Sequence, residues 1–317
     1  MKLASYRVDG RESFGVVRNN GIVDLGSRLG AIKDLKTLLE VGLDTLAAVS
    51  MDGPPDHDLR AVSFLPVIPN PGGIFCVGLN TQSHFDEVEE TLGIFSNKPK
   101  HPWLFTRTAR AQVGHGEALE KPNGTPLFDY EGEIAIVIGR RGRFIPEANA
   151  LEYVAGYSCF NDGSLRDFQM HSPLFTAGKN FPRSGAFGPW LVTADEIGSP
   201  ETLHLTTRIN GNLVQDMPYS DLLFSFPQLI SYISHCTELL PGDVIVTGTG
   251  EGVGILRQPP LMLQHGDVCE IEVRGIGTLR NPIVQAEGEN RAPVTRADVD
   301  EAIVATFGKR PKQRLVG

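Results

Sequence analysis

Short apolar runs, separated by glycine, proline and polar turn residues, recur along this 317-residue chain. Runs of roughly five residues that are rich in β-branched and aromatic side chains are typical of β-strands. Asn210-Gly211 directly follows one such run and has the composition of a tight turn between strands. We therefore predict a mainly β protein of the α+β class, with strands at 2–8, 13–18, 21–25, 134–138, 154–160, 203–209, 244–247 and 268–273.

Helical spacing of apolar residues is limited to a few segments. The pattern predicts one helix over residues 35–49 and another over Phe226–Cys236, which Ser225 would cap at its N-terminus. A third helix, which would pack on its own core or on a partner subunit, is indicated near the C-terminus by the spacing of Val299, Ile303 and Phe307.

A proline-rich connector at residues 66–73 divides the chain into unequal parts. This composition is typical of the segments that join domains. We predict a small N-terminal α+β domain over residues 1–70 and a catalytic domain over residues 71–290. Residues 291–317 would then form a C-terminal helix and a basic tail.

Charge and hydropathy exclude several classes of partner. The formal net charge of −9 argues against nucleic acid, because the chain offers no basic field. The basic run at 309–314 is interpreted as a solvated tail. No apolar run reaches the length of a membrane span, and the N-terminus lacks the apolar segment of a signal peptide. We therefore expect a cytoplasmic protein without a membrane partner.

The cysteines indicate neither a zinc site nor a redox motif, because they are widely spaced. Their contexts are apolar, which favours reduced and buried thiols. The four are Cys76, Cys159, Cys236 and Cys269.

Two carboxylates at the start of a buried strand are the first sign of chemistry. Glu131 and Glu133 stand two residues apart before the apolar run 134–138, and residues i and i+2 of a strand share a face. Like charges so placed repel each other, and a hard divalent cation with oxygen ligands would relieve the repulsion. The alternative is an exposed strand end that carries two solvated glutamates.

Further candidate residues stand at strand exits and on one helix face. Asp162 follows the predicted strand 154–160 in a turn of the composition Asn-Asp-Gly-Ser. Lys179 follows a glycine at the start of a loop. His84 and Glu87 are three residues apart, which places them on the same face of a helix.

Taken together, these segments resemble the fumarylacetoacetate hydrolase superfamily, in order and in approximate spacing, over roughly residues 71–282. The resemblance extends to members that act on acylpyruvates or isomerise 2-hydroxyhepta-2,4-diene-1,7-dioate. The matching motifs are Gly78-Leu79-Asn80 with His84-x-x-Glu87, Asp129-Tyr130-Glu131-Gly132-Glu133, Asn161-Asp162-x-Ser164-x-Arg166-Asp167-x-Gln169, Gly178-Lys179, and Thr247-Gly248-Thr249-Gly250-Glu251-Gly252-Val253-Gly254.

The resemblance implies a fold, an assembly and a metal. It implies a catalytic domain of packed β-sheets that form a sandwich-like roll, and usually a homodimer. It makes Glu131, Glu133 and Asp162 the ligands of Mg²⁺ or Mn²⁺, with Ca²⁺ as a further option, and leaves coordination positions open for substrate.

The resemblance also assigns roles around the metal. His84 and Glu87 would form a general-base pair on a mobile lid whose flank is 91–102, with His84 activating a water. Lys179 would place a positive charge on a substrate oxygen. Substrate would also be bound by Gln169, Arg166 and Thr249, although Arg166 and Asp167 could equally form a structural pair.

The implied activity is hydrolysis of a C–C bond in an acylpyruvate-like β-diketo acid, such as fumarylpyruvate or maleylpyruvate, through a metal-bound enolate. Such reactions belong to aromatic or sugar-acid catabolism. The alternatives are an oxaloacetate decarboxylase, a hydroxymuconate-type isomerase or decarboxylase, and a binding protein without turnover. Two departures from the family pattern, Gly250-Glu251 in place of a proline-containing loop and Thr81 in place of tyrosine, leave the substrate open.

Overall fold

β-Strands form the framework of the molecule in the computed structural model, which describes residues 1–93, 97–288, 301–305 and 308. In these residues the strands are β1 (Lys2–Val8), β2 (Arg11–Arg18), β3 (Gly21–Asp24), β4 (His57–Asp58), β5 (Ser63–Phe64), β6 (Ile74–Gly78), β7 (Trp103–Thr106), β8 (Gln112–Val113), β9 (Leu119–Lys121), β10 (Phe128–Asp129), β11 (Gly132–Ile138), β12 (Val154–Asn161), β13 (Ser164–Leu165), β14 (Gly185–Thr193), β15 (His204–Ile209), β16 (Asn212–Pro218), β17 (Val244–Val246), β18 (Val268–Val273) and β19 (Gly277–Gln285).

The helices are short. The α-helices are α1 (Leu25–Arg28), α2 (Leu35–Val41), α3 (Gln82–Thr91), α4 (Arg166–Gln169), α5 (Thr176–Lys179), α6 (Ala194–Ile197) and α7 (Phe226–Cys236). Segments of 3-10 helix lie at Leu43–Ala48, Leu59–Ala61, Ala109–Ala111, Glu147–Tyr153, Pro200–Thr202, Tyr219–Asp221 and Gly254–Leu256.

Two sheets pack face to face. The larger sheet has the order β4-β3-β2-β1-β14-β12-β11-β17-β6-β7, with β5 beside β1 and β8 beside β14. The smaller sheet has the order β16-β15-β18-β19-β9. In β15 and β18 buried and more exposed residues alternate, as expected for strands with one face in a core. This arrangement confirms the α+β class that the sequence predicted and the packed β-sheets that the family resemblance implied.

Strand β11 lies at the centre of the molecule, and all seven of its residues are buried. Ile134 and Ile136 face the core that is shared with the smaller sheet and helix α7. Ala135 and Val137 face a second core on the opposite side, formed with β1 to β3 and α2. A strand with a core on both faces is held rigidly in place, which suits it to position a functional group at its start.

The N-terminal strands continue the larger sheet. β1 pairs antiparallel with β14 through Leu3 and Leu191, and β14 pairs with β12. The second core therefore contains residues from both sides of the proline-rich connector. The division of the chain at residue 70 stays a prediction.

Most predicted elements are found within one or two residues of their expected bounds. Helix α7 covers Phe226–Cys236 and begins with a capping box formed by Ser225 and Gln228. The prediction of a helix over residues 35–49 is wrong in its second half. It ends at Val41, because Gly42 has a φ of +97°, and a 3-10 helix follows.

The cysteine prediction needs one correction. All four thiols are free, and three are buried, but Cys236 is exposed at the last residue of α7. The C-terminal helix is present at residues 301–305, where Ile303 is fully buried. Val299, Phe307, the basic run 309–314 and part of the predicted lid flank, residues 94–96, lie outside the described residues.

Candidate metal centre

The pairing of β11 with β12 brings the predicted ligands together. Gly132 pairs with Asn161 across the two strands, so Glu131 and Asp162 leave the sheet side by side. The Asp162 amide donates to the carbonyl oxygen of Glu131 at 2.9 Å. Because Glu131 and Glu133 are two residues apart, their side chains emerge on the same face at this point.

The three carboxylates form a buried cluster. Glu131, Glu133 and Asp162 each offer an oxygen, and these oxygens all lie within 4.8 Å of one another. Their residues are only 5%, 2% and 0% exposed. The alternative of solvated glutamates at an exposed strand end is therefore wrong. Buried carboxylates at this spacing need compensating positive charge.

Three buried cations partly supply that charge. Lys179 Nζ lies 2.5 Å from Glu131 Oε2 and 2.6 Å from Asp162 Oδ2. Arg107 Nη1 lies 2.5 Å from Asp162 Oδ1, and Arg166 Nη1 lies 2.7 Å from Glu131 Oε1. Glu133 makes no ion pair with any described residue and accepts a hydrogen bond from the amide of Gly248.

The pKa values of the two glutamates separate accordingly. Burial raises the pKa of Glu131, but the nearby charges of Lys179, Arg166 and His84 outweigh burial and leave that pKa below its usual range. Burial also raises the pKa of Glu133, and the negative charges of Asp162 and Glu131 raise it further, well above its usual range. Because Arg166 also pairs with Asp129, the three cations face four buried carboxylates, and Glu133 is the one without an ion pair among the described residues.

These residues fit a hard divalent cation. Such ions take carboxylate oxygens as ligands, and a third buried carboxylate without a cationic partner is the group that an added cation would stabilise. Glu131, Glu133 and Asp162 would hold it. The cysteines do not contribute, because none belongs to the cluster of ligand atoms in the described part of the chain.

Helix α3 carries His84 and Glu87, the pair that was predicted to act as a general base. His84 Nδ1 lies 3.0 Å from Glu87 Oε2, so the expected contact one helical turn apart is present. Thr81 caps the helix by accepting the His84 amide at 3.4 Å. His84 is 8% exposed and lines the same pocket as the three carboxylates.

The start of α3 is tied to the glycine-rich loop 247–254. Glu87 Oε1 accepts the amide of Gly252 at 2.9 Å, and Thr81 donates its hydroxyl to the carbonyl of Thr249 at 2.6 Å. Ser83 donates to Asp221 and accepts the amide of Glu251 at 3.2 Å. Glu87 therefore links the His84 ring to the backbone of this loop.

The loop amides serve the protein itself. The amides of Gly248 and Gly252 donate to Glu133 and Glu87, so they are not available to a substrate carboxylate. The Gly254 amide donates to Asp129 at 2.8 Å. The Thr249 side chain lines the pocket, and its hydroxyl accepts from Gln215 at 2.8 Å. Substrate contact at Thr249 stays a prediction, through its side chain rather than through these amides.

Arg166 does not pair with Asp167, so the structural pair considered from sequence is wrong. Its Nε donates to Asp129 Oδ2 at 2.8 Å, and its Nη1 donates to Gln169 Oε1 at 2.9 Å. Asp167 instead accepts the hydroxyl of Thr125 at 2.8 Å. Arg166 and Gln169 lie together on one turn of α4 and both line the pocket.

One pocket thus collects eight of the nine predicted site residues, and the ninth, Glu87, contacts His84, which is one of those eight. Sequence reasoning missed Arg107, which lies 55 residues before Asp162 and carries no local motif. It also missed Gln215, which bridges Thr249 and the Gly132 amide. A lone buried cation or amide gives no signal that a single sequence could reveal.

The fold and this site define an enzyme family. The profile described as fumarylacetoacetate (FAA) hydrolase, C-terminal, matches residues 73–284, which is more than half of the chain. The chain belongs to the fumarylacetoacetate hydrolase family.

Individual relatives differ in their reported chemistry. The chain is 38% identical over 229 residues to the oxaloacetate tautomerase YisK of Bacillus subtilis. The aligned region covers 72% of this chain and 75% of that protein. A solved fumarylacetoacetate hydrolase from Exiguobacterium antarcticum is 32% identical, with a TM-score of 0.75, and the match covers 90% of this chain and 100% of that chain. A maleylpyruvate hydrolase from Sphingobium sp. SYK-6, solved with manganese(II) and pyruvate, is 26% identical, with a TM-score of 0.75, and the match again covers 90% of this chain and 100% of that chain.

Among the described residues, no helix is long and apolar enough to cross a membrane.

Proposed function

We propose that the chain is a divalent-metal-dependent hydrolase that cleaves the C–C bond of an acylpyruvate-like β-diketo acid. One observation carries the proposal. A single pocket joins the buried cluster of Glu131, Glu133 and Asp162 to the His84–Glu87 pair. Hydrolysis of this kind needs a cation for the 2-oxo acid end of the substrate and a base for water, and this pocket provides residues for both.

The metal end would receive the pyruvoyl group. Mg²⁺ or Mn²⁺, with Ca²⁺ as a further option, would supply Lewis-acid polarisation of the substrate oxygens when held by the three carboxylates. The manganese and pyruvate in the Sphingobium hydrolase support this cation and this substrate end. Lys179 and Arg166 lie beside the cluster and would hold the substrate carboxylate by charge.

His84 would move the protons. Glu87 holds Nδ1, so we assign proton exchange to Nε2. Nε2 takes a proton from water as the water oxygen bonds to the distal carbonyl carbon. The adjacent C–C bond then breaks, its electron pair passes to the pyruvate fragment, and the proton returns to that fragment at C3. The products are pyruvate and one carboxylic acid.

A second candidate uses the same residues without water. The tautomerase relative from Bacillus subtilis favours keto–enol exchange of oxaloacetate, in which His84 would move a proton between C3 and the 2-oxygen. Decarboxylation of oxaloacetate, or of a hydroxymuconate-type acid, would likewise need the cation end but no activated water. Isomerisation of a ring-cleavage product is the remaining variant of this candidate.

Product analysis separates the two candidates. The experiment follows loss of ultraviolet absorbance by acylpyruvates and by enol oxaloacetate, with Mn²⁺, with Mg²⁺ and with EDTA, and identifies the products by NMR. The hydrolase predicts metal-dependent formation of pyruvate and a carboxylic acid. Loss of the enol signal alone would establish the tautomerase, and release of CO₂ would establish the decarboxylase. Absence of turnover in every case would leave a binding protein.

We further propose a homodimer, which is the usual assembly that the family resemblance implied. Light scattering of the purified protein, compared with the 34.5 kDa chain mass, tests it.

A further inference from the structure

We propose that the far end of the pocket selects an uncharged hydrocarbon acyl group, so that the substrate is an alkyl- or aryl-acylpyruvate and not a dicarboxylate. This inference rests on the proposed function, because it concerns the part of the same substrate that lies beyond His84. It differs from the fumaryl and maleyl examples considered from sequence, which both end in a second carboxylate.

The polar groups of the pocket are gathered at its metal end. Lys179 contacts Glu131 and Asp162, and Arg166 contacts Glu131 and Gln169, all at 2.9 Å or less. His84 lines the same pocket. One network therefore holds the charged side chains together, and the pyruvoyl end of the substrate would bind there.

Beyond His84 the pocket becomes apolar. Val88 and Leu92 follow His84 by four and eight residues, so they continue its face of the helix, and both line the pocket. With a rise of about 1.5 Å per residue, they lie roughly 6 and 12 Å further along α3. An acyl chain that extends past the scissile bond along this helix meets hydrocarbon at both distances.

The facing side is apolar as well. Residues at and just after the end of the glycine-rich loop, and one residue after α4, complete the lining, and most of them form one packed cluster with α3. We call the lining residues of this end the apolar wall: Val88, Leu92, Met170, Val253, Ile255 and Leu256.

The C-terminal helical turn seals the apolar wall from behind. Ile303, in residues 301–305, is 0% exposed and packs in the cluster that contains Val88 and Leu92. Leu127 belongs to the same cluster and is 2% exposed. A charged substrate end pressed against this wall would therefore meet packed side chains and not water.

Positive charge is missing from the apolar wall among the described lining residues. Arg257 comes directly after Leu256, but its guanidinium donates to the carbonyls of Val214 and Gly252. Each buried methylene is favourable to binding, whereas an unpaired carboxylate loses its hydration at a larger cost. The wall thus favours a hydrocarbon end over a carboxylate end of equal length.

Binding of unreactive ligands tests this without turnover. Calorimetry of the Mn²⁺-loaded protein would compare pyruvate, 2-oxooctanoate and 2-oxooctanedioate, which share the 2-oxo acid end and lack the bond that is hydrolysed. We expect 2-oxooctanoate to bind on the order of tenfold or more tightly than either of the others. The dioate and pyruvate control for chain length and for the anchoring end.

Variants at one position sharpen the test. Val88→Lys should reverse the preference toward 2-oxooctanedioate, whereas Val88→Thr, which keeps the shape without charge, should keep the preference for 2-oxooctanoate. If Val88→Lys fails to fold, the wild-type comparison decides alone.

Two results would overturn the inference alone, and a third would also overturn the proposed function. Equal or tighter binding of the dioate to the wild-type protein removes the apolar selection, and so does binding of pyruvate with no gain from either longer chain. Failure of all three ligands to bind in the presence of Mn²⁺ defeats the proposed function itself, and the inference falls with it.

Discussion

Glu133 is the residue at which the charge balance of the site fails. Its neighbours Glu131 and Asp162 are each paired with buried cations, while Glu133 accepts only the amide of Gly248 among the described contacts. A protein built only for stability would not bury a third carboxylate here, because unpaired buried charge is destabilising. We therefore propose Glu133 as a ligand of the cation.

Replacing Glu133 by Gln should therefore separate metal binding from folding. We expect Mn²⁺ affinity to fall on the order of 100-fold or more, because one charged ligand is lost. The metal-free fold should be at least as stable as the wild type, because a neutral amide is not repelled by Glu131 and Asp162. Titration calorimetry and thermal unfolding in EDTA measure the two effects.

The control for this variant is Glu272→Gln, which makes the same change on an exposed position of β18. It should alter neither measurement. Unchanged Mn²⁺ affinity in Glu133→Gln would show that the metal ligands are misassigned.

Replacement of His84 should have the complementary effect, with loss of hydrolysis and retention of the metal. His84→Gln should keep Mn²⁺ binding, since the three carboxylates remain, but hydrolysis should slow by about 10² to 10⁴-fold with the loss of the base. Single-turnover kinetics and calorimetry check the two parts. His235→Gln, a histidine on the exposed side of α7, is the matched control and should leave the rate unchanged. Full hydrolysis by His84→Gln would remove this residue from the mechanism.

At the scale of elements, two short helices form one side of the site. Helix α5 carries Lys179 and packs against α4, which carries Arg166 and Gln169. The close approach depends on Gly178. A Cβ atom there would lie 2.4 Å from the Gln169 amide nitrogen and 2.5 Å from the Leu165 carbonyl oxygen, both of which are backbone atoms.

Gly178→Ala should consequently push the two helices apart. We expect a loss of roughly 1–3 kcal/mol in the free energy of unfolding, from the strain of overpacking, together with weaker metal binding as Lys179 shifts. Denaturant unfolding and calorimetry measure these. Gly78→Ala is the matched control for stability, because its Cβ would meet only ordinary contacts at 3.8 Å or more. Equal stability of the two variants would contradict this account.

What the sequence could predict follows from the range of each interaction. The strand β18 and the helix α7 depend on local periodicity and capping, so their bounds were predicted to the residue. Glu131 and Glu133 were predicted as a pair because they stand two residues apart at the start of one strand, and the family resemblance added Asp162 to them. The pairing of Leu3 with Leu191, and of Arg107 with Asp162, depends on contacts between distant segments that no local pattern contains.

At the scale of the whole molecule, the site lies between two cores that are complete without a metal. Strand β11 is buried on both faces, and Lys179 and Arg107 already satisfy much of the charge around Asp162. A cation at this site would be needed for chemistry and not for folding. A structural metal site behaves differently, because its removal unfolds the protein.

Removal of metal should accordingly abolish turnover and leave the fold intact. We expect protein in EDTA to keep its circular dichroism spectrum and a cooperative unfolding transition. Mn²⁺ at 100 times its Kd should then stabilise the protein by about 2.7 kcal/mol. For a chain of this size, that corresponds to a rise in Tm of roughly 5 °C. The Glu133→Gln variant should show no such rise. Loss of the folded spectrum in EDTA would mean that the cations around Asp162 do not suffice, and that the metal is structural after all.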